Sequence, residues 1–97
     1  MSVSIFDHVP IQNGHVEFAI GTSDKHVGND IALDKSTSYI VIQADVDYFV
    51  KQGLIGSSDN GFRRFAHTDY MLSRSEWTNF HLKADASGTM SIQQYKA

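Results

Sequence analysis

The chain has 97 residues, of which 41% are hydrophobic and 20% are charged, and its formal net charge is −3. These values predict one globular domain over residues 1–97, and they exclude a disordered tail, a collagen and a coiled coil. No apolar run is long enough for a membrane span, the start lacks the pattern of a secretory signal, and the absence of cysteine excludes disulfides and thiolate metal sites.

The composition of the whole chain is typical of β structure, because Val, Ile and Thr are frequent while Leu, Ala and Glu are scarce. Weak strands are predicted at Val3–Phe6 and Asn29–Leu33. Between them, Val16, Phe18 and Ile20 alternate with polar residues and predict a strand that is buried on one face.

The segment from Ser38 to Gly53 has the clearest alternation. Its apolar residues keep one parity from Ile40 to Val50, a period of two that no helix matches. Asp45, Val46 and Asp47 predict a corner in this segment. The corner is either a three-residue turn that pairs Ile42 with Val50 or a bent strand that passes between two sheets.

The second half contains further short strands. Gly61–Ala66 and Asp69–Leu72 are weak candidates, and a hairpin is predicted from Thr78–Lys83 through the turn at 85–88 to a return strand with Met90 and Ile92. Seven to eight short strands at this spacing predict an all-β fold, either an antiparallel β-sandwich or a small jelly-roll-like barrel.

Metal and cofactor sites are not expected from the spacing of the polar residues. Five histidines are present, but none forms a pair at ligand spacing, and His15 and His81 fall on predicted polar faces. Asp24, Asp30 and Asp34 surround a loop without the EF-hand spacing, so solvated turn residues are the favoured interpretation.

Catalysis is not expected either. Nucleophile-elbow, phosphate-loop and dinucleotide motifs are missing. Ser73 and Ser75 beside Glu76 are typical of a turn, and Asp45 with Asp47 forms a carboxylate pair at a corner rather than in a cleft. We therefore predict a protein that is not an enzyme.

Nucleic-acid binding is also not expected, because a chain with eleven acidic and eight basic residues lacks the usual basic face.

One segment combines aromatic residues with arginine, the residue types that dominate protein-binding hot spots. The candidate partner-binding residues are Phe62, Arg63, Arg64, Phe65, Tyr70, Arg74 and Trp77. Phe62 and Phe65 have opposite parity, so Phe65 would face outward if Phe62 lies in the core. We expect residues 60–67 to form a surface ribbon whose Arg63, Arg64 and Phe65 contact a partner. The alternative is that Phe62, Tyr70 and Trp77 only build the core.

The pattern of residues 36–95 resembles the small virion proteins of tailed bacteriophages. The likeness rests on Tyr39–Gly53, where an apolar strand runs into Ala44-Asp45 and then into an aromatic-valine strand, and on the later strands around Tyr70, Trp77 and Met90. The chain departs from the pattern at Ser73–Ser75, which lacks Pro and Gly, and in the more basic and aromatic Asp59–Thr68. No site residue is carried over from the family.

The resemblance implies a structural subunit that is made in the host cytoplasm and placed in the virion, where it binds capsid or tail proteins, most plausibly as a decoration subunit on the shell. The alternative is a carbohydrate- or receptor-binding module in which Trp77 or Tyr70 stacks on a sugar ring. Because a core of this size is marginal without disulfides or metal, a homodimer or homotrimer is expected.

Overall fold

The computed structural model of the protein describes residues 9–53 and 61–96. The strand predicted at Val3–Phe6 lies outside the described residues. The eight strands are β1 (Val9–Ile20), β2 (Lys25–His26), β3 (Tyr39–Ala44), β4 (Tyr48–Gln52), β5 (Phe62–Arg64), β6 (Tyr70–Ser73), β7 (Phe80–Ala84) and β8 (Gly88–Lys96). Two single-turn helices, α1 (Val27–Asp30) and α2 (Arg74–Trp77), lie between strands.

The strands form two antiparallel sheets of four strands each. The first sheet has the order β1-β8-β3-β6 and the second sheet has the order β2-β7-β4-β5. Four of the strand pairs are nested, as in one long two-stranded ribbon: β1–β8, β2–β7, β3–β6 and β4–β5. When that ribbon is rolled up, two further pairs form, β3–β8 and β4–β7. This is the strand order of a jelly roll, so the predicted all-β fold is confirmed.

The core fills the space between the two sheets, and the alternation between Ile40 and Val50 correctly predicts its centre. Ile40 and Ile42 from β3 face Tyr48 and Val50 from β4, and all four side chains are buried. The remaining buried apolar residues come from most of the other elements and are Ile20, Val27, Ala44, Leu72, Trp77, Phe80, Leu82, Ala84, Met90 and Ile92.

The structure corrects two local predictions. Strands β7 and β8 do not form a hairpin, because β7 lies in the second sheet and β8 in the first. The weak strand expected at Asn29–Leu33 is instead the end of α1 followed by irregular chain. The corner at Asp45–Asp47 is the second of its two alternatives, since it carries the chain from β3 in the first sheet to β4 in the second.

Neither of the two helices in the described part of the chain is long or apolar enough to cross a membrane. Helix α2 starts where the carboxylate of Glu76 accepts hydrogen bonds from the backbone N–H and the hydroxyl of Ser73, at 3.0 and 2.9 Å. This capping of the first turn fixes the direction in which Trp77 enters the core.

Candidate partner-binding site

Two phenylalanine side chains face solvent at the short edge strand β5. Phe62 is the first residue of the strand, and Phe65 directly follows its last residue. Phe62 is 80% exposed and Phe65 is 58% exposed, which are the largest exposures among the bulky apolar residues that the structure describes. The condition that Phe62 lies in the core is therefore not met, and neither is the alternative in which Phe62 only builds the core. Strand β5 ends at Arg64, so Phe65 lies beyond it and the parity argument does not connect the two rings.

Phe62 is exposed because β5 lies at the open side of the sandwich. It pairs with Val50, whose side chain points into the core, but no strand of the described chain extends the second sheet beyond β5. The Phe62 ring instead forms the rim of a cleft of about 370 Å³. Val50, Leu72 and Phe80 line its interior, and Arg64 and Glu76 lie at its polar side.

Phe65 is held in place by the turn that joins β5 to β6, which we call the β5–β6 turn (residues 65–69). The backbone N–H of Phe65 donates to the Tyr70 hydroxyl at 3.2 Å, and the next N–H, of Ala66, donates to Oδ1 of Asp47 at 2.8 Å. The N–H of His67 donates to the carbonyl of Ala44 at 2.7 Å. Three consecutive backbone groups are thus bound to three different parts of the fold.

The turn also contains a left-handed residue, since His67 has a φ of 56°. Such a conformation costs free energy for a residue other than glycine and persists where the surroundings enforce it. Here the hydrogen bonds on both sides of His67 enforce it. The exposed Phe65 ring is therefore presented on a rigid turn.

The two arginines of β5 are held by groups of this chain. The guanidinium of Arg63 forms an ion pair with Asp47 and lies 5.8 Å from the centre of the Phe65 ring. The hydrogen bond from Arg63, together with the one from the Ala66 N–H, lowers the pKa of Asp47 below its ordinary value. Arg64 lies 4.2 Å from the centre of the Tyr70 ring, a cation–π contact.

Tyr70 rests in turn on a deeply buried neighbour. Its ring meets the ring of Tyr48 edge-to-face at 6.5 Å between centres. Tyr48 is fully buried, and burial raises the pKa of its hydroxyl far above the ordinary value. Of the predicted site residues, Phe62, Arg63, Arg64, Phe65 and Tyr70 thus come together around β5.

Arg74 and Trp77 do not belong to this cluster. Trp77 is 5% exposed and packs in the core, so the prediction that it contacts a partner is wrong and the structural alternative holds for it. Arg74 lies over the Trp77 ring at 5.5 Å and donates to the carbonyls of Lys35 and Thr37. It fixes the chain that leads into β3.

A second cluster on the outside of the second sheet was not predicted. Nδ1 of His81 lies 2.7 Å from Oδ2 of Asp24, and the His81 ring stacks on that of His26 with centres 4.1 Å apart. His81 is buried, contrary to its predicted position on a polar face. Nε2 of His26 lies 2.8 Å from the Thr78 carbonyl, so the cluster ties β2 to β7. Alternation along β7 could not reveal this cluster, because Asp24 and His26, which contact His81, are distant from it in sequence.

Within residues 9–53 and 61–96, no three histidine or carboxylate side chains converge as cation ligands. Comparison of the chain with protein-family models, with curated proteins and with solved structures finds no match.

Proposed function

We propose that the protein is a structural subunit of a bacteriophage virion, and that it decorates the capsid by docking β5 and the β5–β6 turn onto the shell. The observation that carries the proposal is the presentation of Phe65, a 58% exposed ring on a turn fixed by hydrogen bonds to Asp47, Ala44 and Tyr70. The resemblance of residues 36–95 to small virion proteins supplies the shell as the partner.

A docking surface that is already ordered loses less conformational entropy when it binds. An exposed phenylalanine lowers solubility unless a partner covers it. Association is weakened by the ordering of loops and side chains, at about 0.5 to 1.5 kcal/mol for each immobilised side chain. The β5–β6 turn is ordered before docking, so burial of Phe65 contributes more fully to affinity. Each subunit then adds a few kcal/mol, on the order expected for a small interface, at many equivalent positions of a symmetric shell.

The carbohydrate-binding alternative has less support. Glycan recognition needs an aromatic ring face that a sugar can reach, and the two rings expected to provide it are Trp77 and Tyr70. Trp77 is buried, and Arg64 lies over the ring of Tyr70. Docking through β5 is thus favoured over carbohydrate binding.

The test compares Phe65→Ser with wild type in thermal melts and in co-sedimentation with shells assembled from the capsid protein of the phage that the proposal implies. We expect an almost unchanged melting temperature, because the ring is exposed. Shell binding should weaken by about 2 kcal/mol or more, roughly 30-fold, as for a truncated hot spot.

Ala86→Ser is the matched control, because it also replaces an exposed apolar residue by serine but lies in the turn before β8. It should bind shells like wild type. Equal binding by Phe65→Ser and wild type would show that the docking surface lies elsewhere. Unfolding of the isolated Phe65→Ser domain would show that the ring is structural, and failure of wild type to bind any such shell would reject the decoration role.

A further inference from the structure

The outward face of the first sheet is almost free of charge. Its residues alternate with the buried residues of the same strands and are His15, Glu17 and Ala19 of β1; Thr89, Ser91, Gln93 and Tyr95 of β8; Tyr39, Val41 and Gln43 of β3; and Met71 and Ser73 of β6. Among these described positions, Glu17 is the one with a formal charge at pH 7. We call this surface the neutral face.

The centre of the neutral face is built from aromatic, apolar and amide side chains. The register places Tyr95 beside Tyr39, and it places Gln93 and Met71 on either side of Val41. Met71 is 39% exposed, although it is a large apolar residue. Glu17 lies at the margin, because β1 is an edge strand of the sheet.

The outward face of the second sheet has the opposite character. Phe49 and Lys51 of β4, Arg63 of β5, and His81 and Lys83 of β7 alternate with buried neighbours and point away from the core. Every formally charged residue in that set is basic. The chain as a whole is acidic, and of the carboxylates in the described residues only that of Glu17 belongs to a strand. The neutral face therefore stands out as depleted of both signs.

We infer that the neutral face is where a second copy of this chain docks, sheet against sheet. Interface centres are depleted of charged residues and enriched in Tyr and Met, which is the composition seen around Val41. Two copies with a formal charge of −3 each repel one another. Contact through the neutral face brings few like charges together, because Glu17 beside one edge strand and Asp69 beside the other stay at the rim, where Asp69 accepts from the Gln43 side chain at 3.1 Å.

The size of the face sets the expected strength. Four strands about 4.8 Å apart, with about five residues at 3.4 Å each, cover roughly 19 by 17 Å in plan. Side-chain relief raises the accessible area above that figure and places the interface near the lower limit of about 1,000 Å² for both partners together. The structure thus assigns a weak, concentration-dependent dimer whose surface is separate from β5.

The experiment is sedimentation velocity of the full chain from about 10 μM to about 1 mM, a range that reports weak association. Wild type should shift from monomer toward dimer across this range. Gln93→Lys should raise the dissociation constant at least about tenfold, because the two-fold axis brings two introduced charges together. Met71→Lys should do the same, and an edge strand such as β6 tolerates lysine well.

Asn79→Lys is the matched control, because it makes the same change from amide to ammonium at an exposed turn between α2 and β7, and it should dimerise like wild type. A wild-type chain that stays monomeric throughout would overturn the inference. So would dimers of undiminished affinity in both folded lysine variants. Phe65→Ser should dimerise normally, which separates this surface from the one proposed to bind the shell.

Discussion

At the scale of single residues, Asp47 links the candidate docking surface to the stability of the fold. Its carboxylate accepts hydrogen bonds from the Arg63 side chain and from the Ala66 backbone, and these bonds lower its pKa. The unfolded chain therefore binds a proton at Asp47 more readily than the folded chain does. The resulting stabilisation is present above the ordinary aspartate pKa, and it is lost as the pH falls through the lowered value.

We predict that Asp47→Asn makes the loss of stability between about pH 5 and pH 2 shallower than in wild type. The β5–β6 turn of this variant should also be less ordered at pH 7, because asparagine is a weaker partner for Arg63. Urea unfolding at several pH values measures the first effect, and hydrogen exchange of Ala66 measures the second. Asp85→Asn, at an exposed turn, is the control. If the free energy of unfolding falls equally with pH in wild type and in Asp47→Asn, this carboxylate has no part in the loss of stability in acid.

At the scale of elements, two of the connections that cross between the sheets, β3–β4 and β7–β8, lie side by side. The carboxylate of Asp45 accepts from the Thr89 N–H at 2.8 Å, and the Asp45 N–H donates to the Thr89 carbonyl at 3.2 Å. The contact is close enough that a Cβ atom on Gly88 would lie 2.5 Å from Cγ2 of Val46 and 2.7 Å from Oδ1 of Asp45. The β3–β4 and β7–β8 crossings therefore depend on glycine at position 88.

We predict that Gly88→Ala lowers the free energy of unfolding by about 1 to 3 kcal/mol, because the added methyl group forces the two crossings apart. Gly21→Ala is the matched control, since no heavy atom of the described residues, apart from its chain neighbours, lies within 4 Å of its added Cβ, and it should change stability by less than about 0.5 kcal/mol. Chemical denaturation of both variants measures the difference. A Gly88→Ala variant as stable as wild type would mean that the two connections can move apart without lowering the free energy of unfolding.

The same crossings explain which parts of the fold could be predicted. Alternation correctly identified the buried face from Ile40 to Val50, since burial on one side of a strand imposes a period of two. It could not distinguish a hairpin from a crossing after Ala84, because both preserve parity through a short turn. For the candidate site, the composition around Arg63 pointed to the strand that carries the exposed Phe62. The position of Phe62 at an open sheet edge depends on β5 being only three residues long, which parity does not encode.

At the scale of the whole molecule, one long connection has to be held against the rolled ribbon. Residues 31–38 lead from α1 beside the second sheet to β3 in the first, and they form no strand. Gln94 of β8 is buried and binds this connection, because its Oε1 accepts from the Asp34 N–H and from the Thr37 hydroxyl, both at 2.7 Å. Its Nε2 donates to the Gly14 carbonyl at 3.0 Å. A single amide therefore joins β8, β1 and the connection.

We predict that Gln94→Met lowers the free energy of unfolding by about 2 to 4 kcal/mol, because a side chain of similar length leaves buried polar groups of Thr37 and Gly14 without partners. Gln93→Met is the matched control: it makes the same change at the next residue, on the opposite face of the strand, and should cost less than about 0.5 kcal/mol. Urea unfolding of the two variants gives the comparison. Hydrogen exchange should further show faster opening at Thr37 in Gln94→Met alone, since the connection then loses the two hydrogen bonds that Gln94 accepts from it. Equal losses of stability in both variants would mean that β8 needs an amide on either face for pairing, and that Gln94 does not join the connection to the sheet.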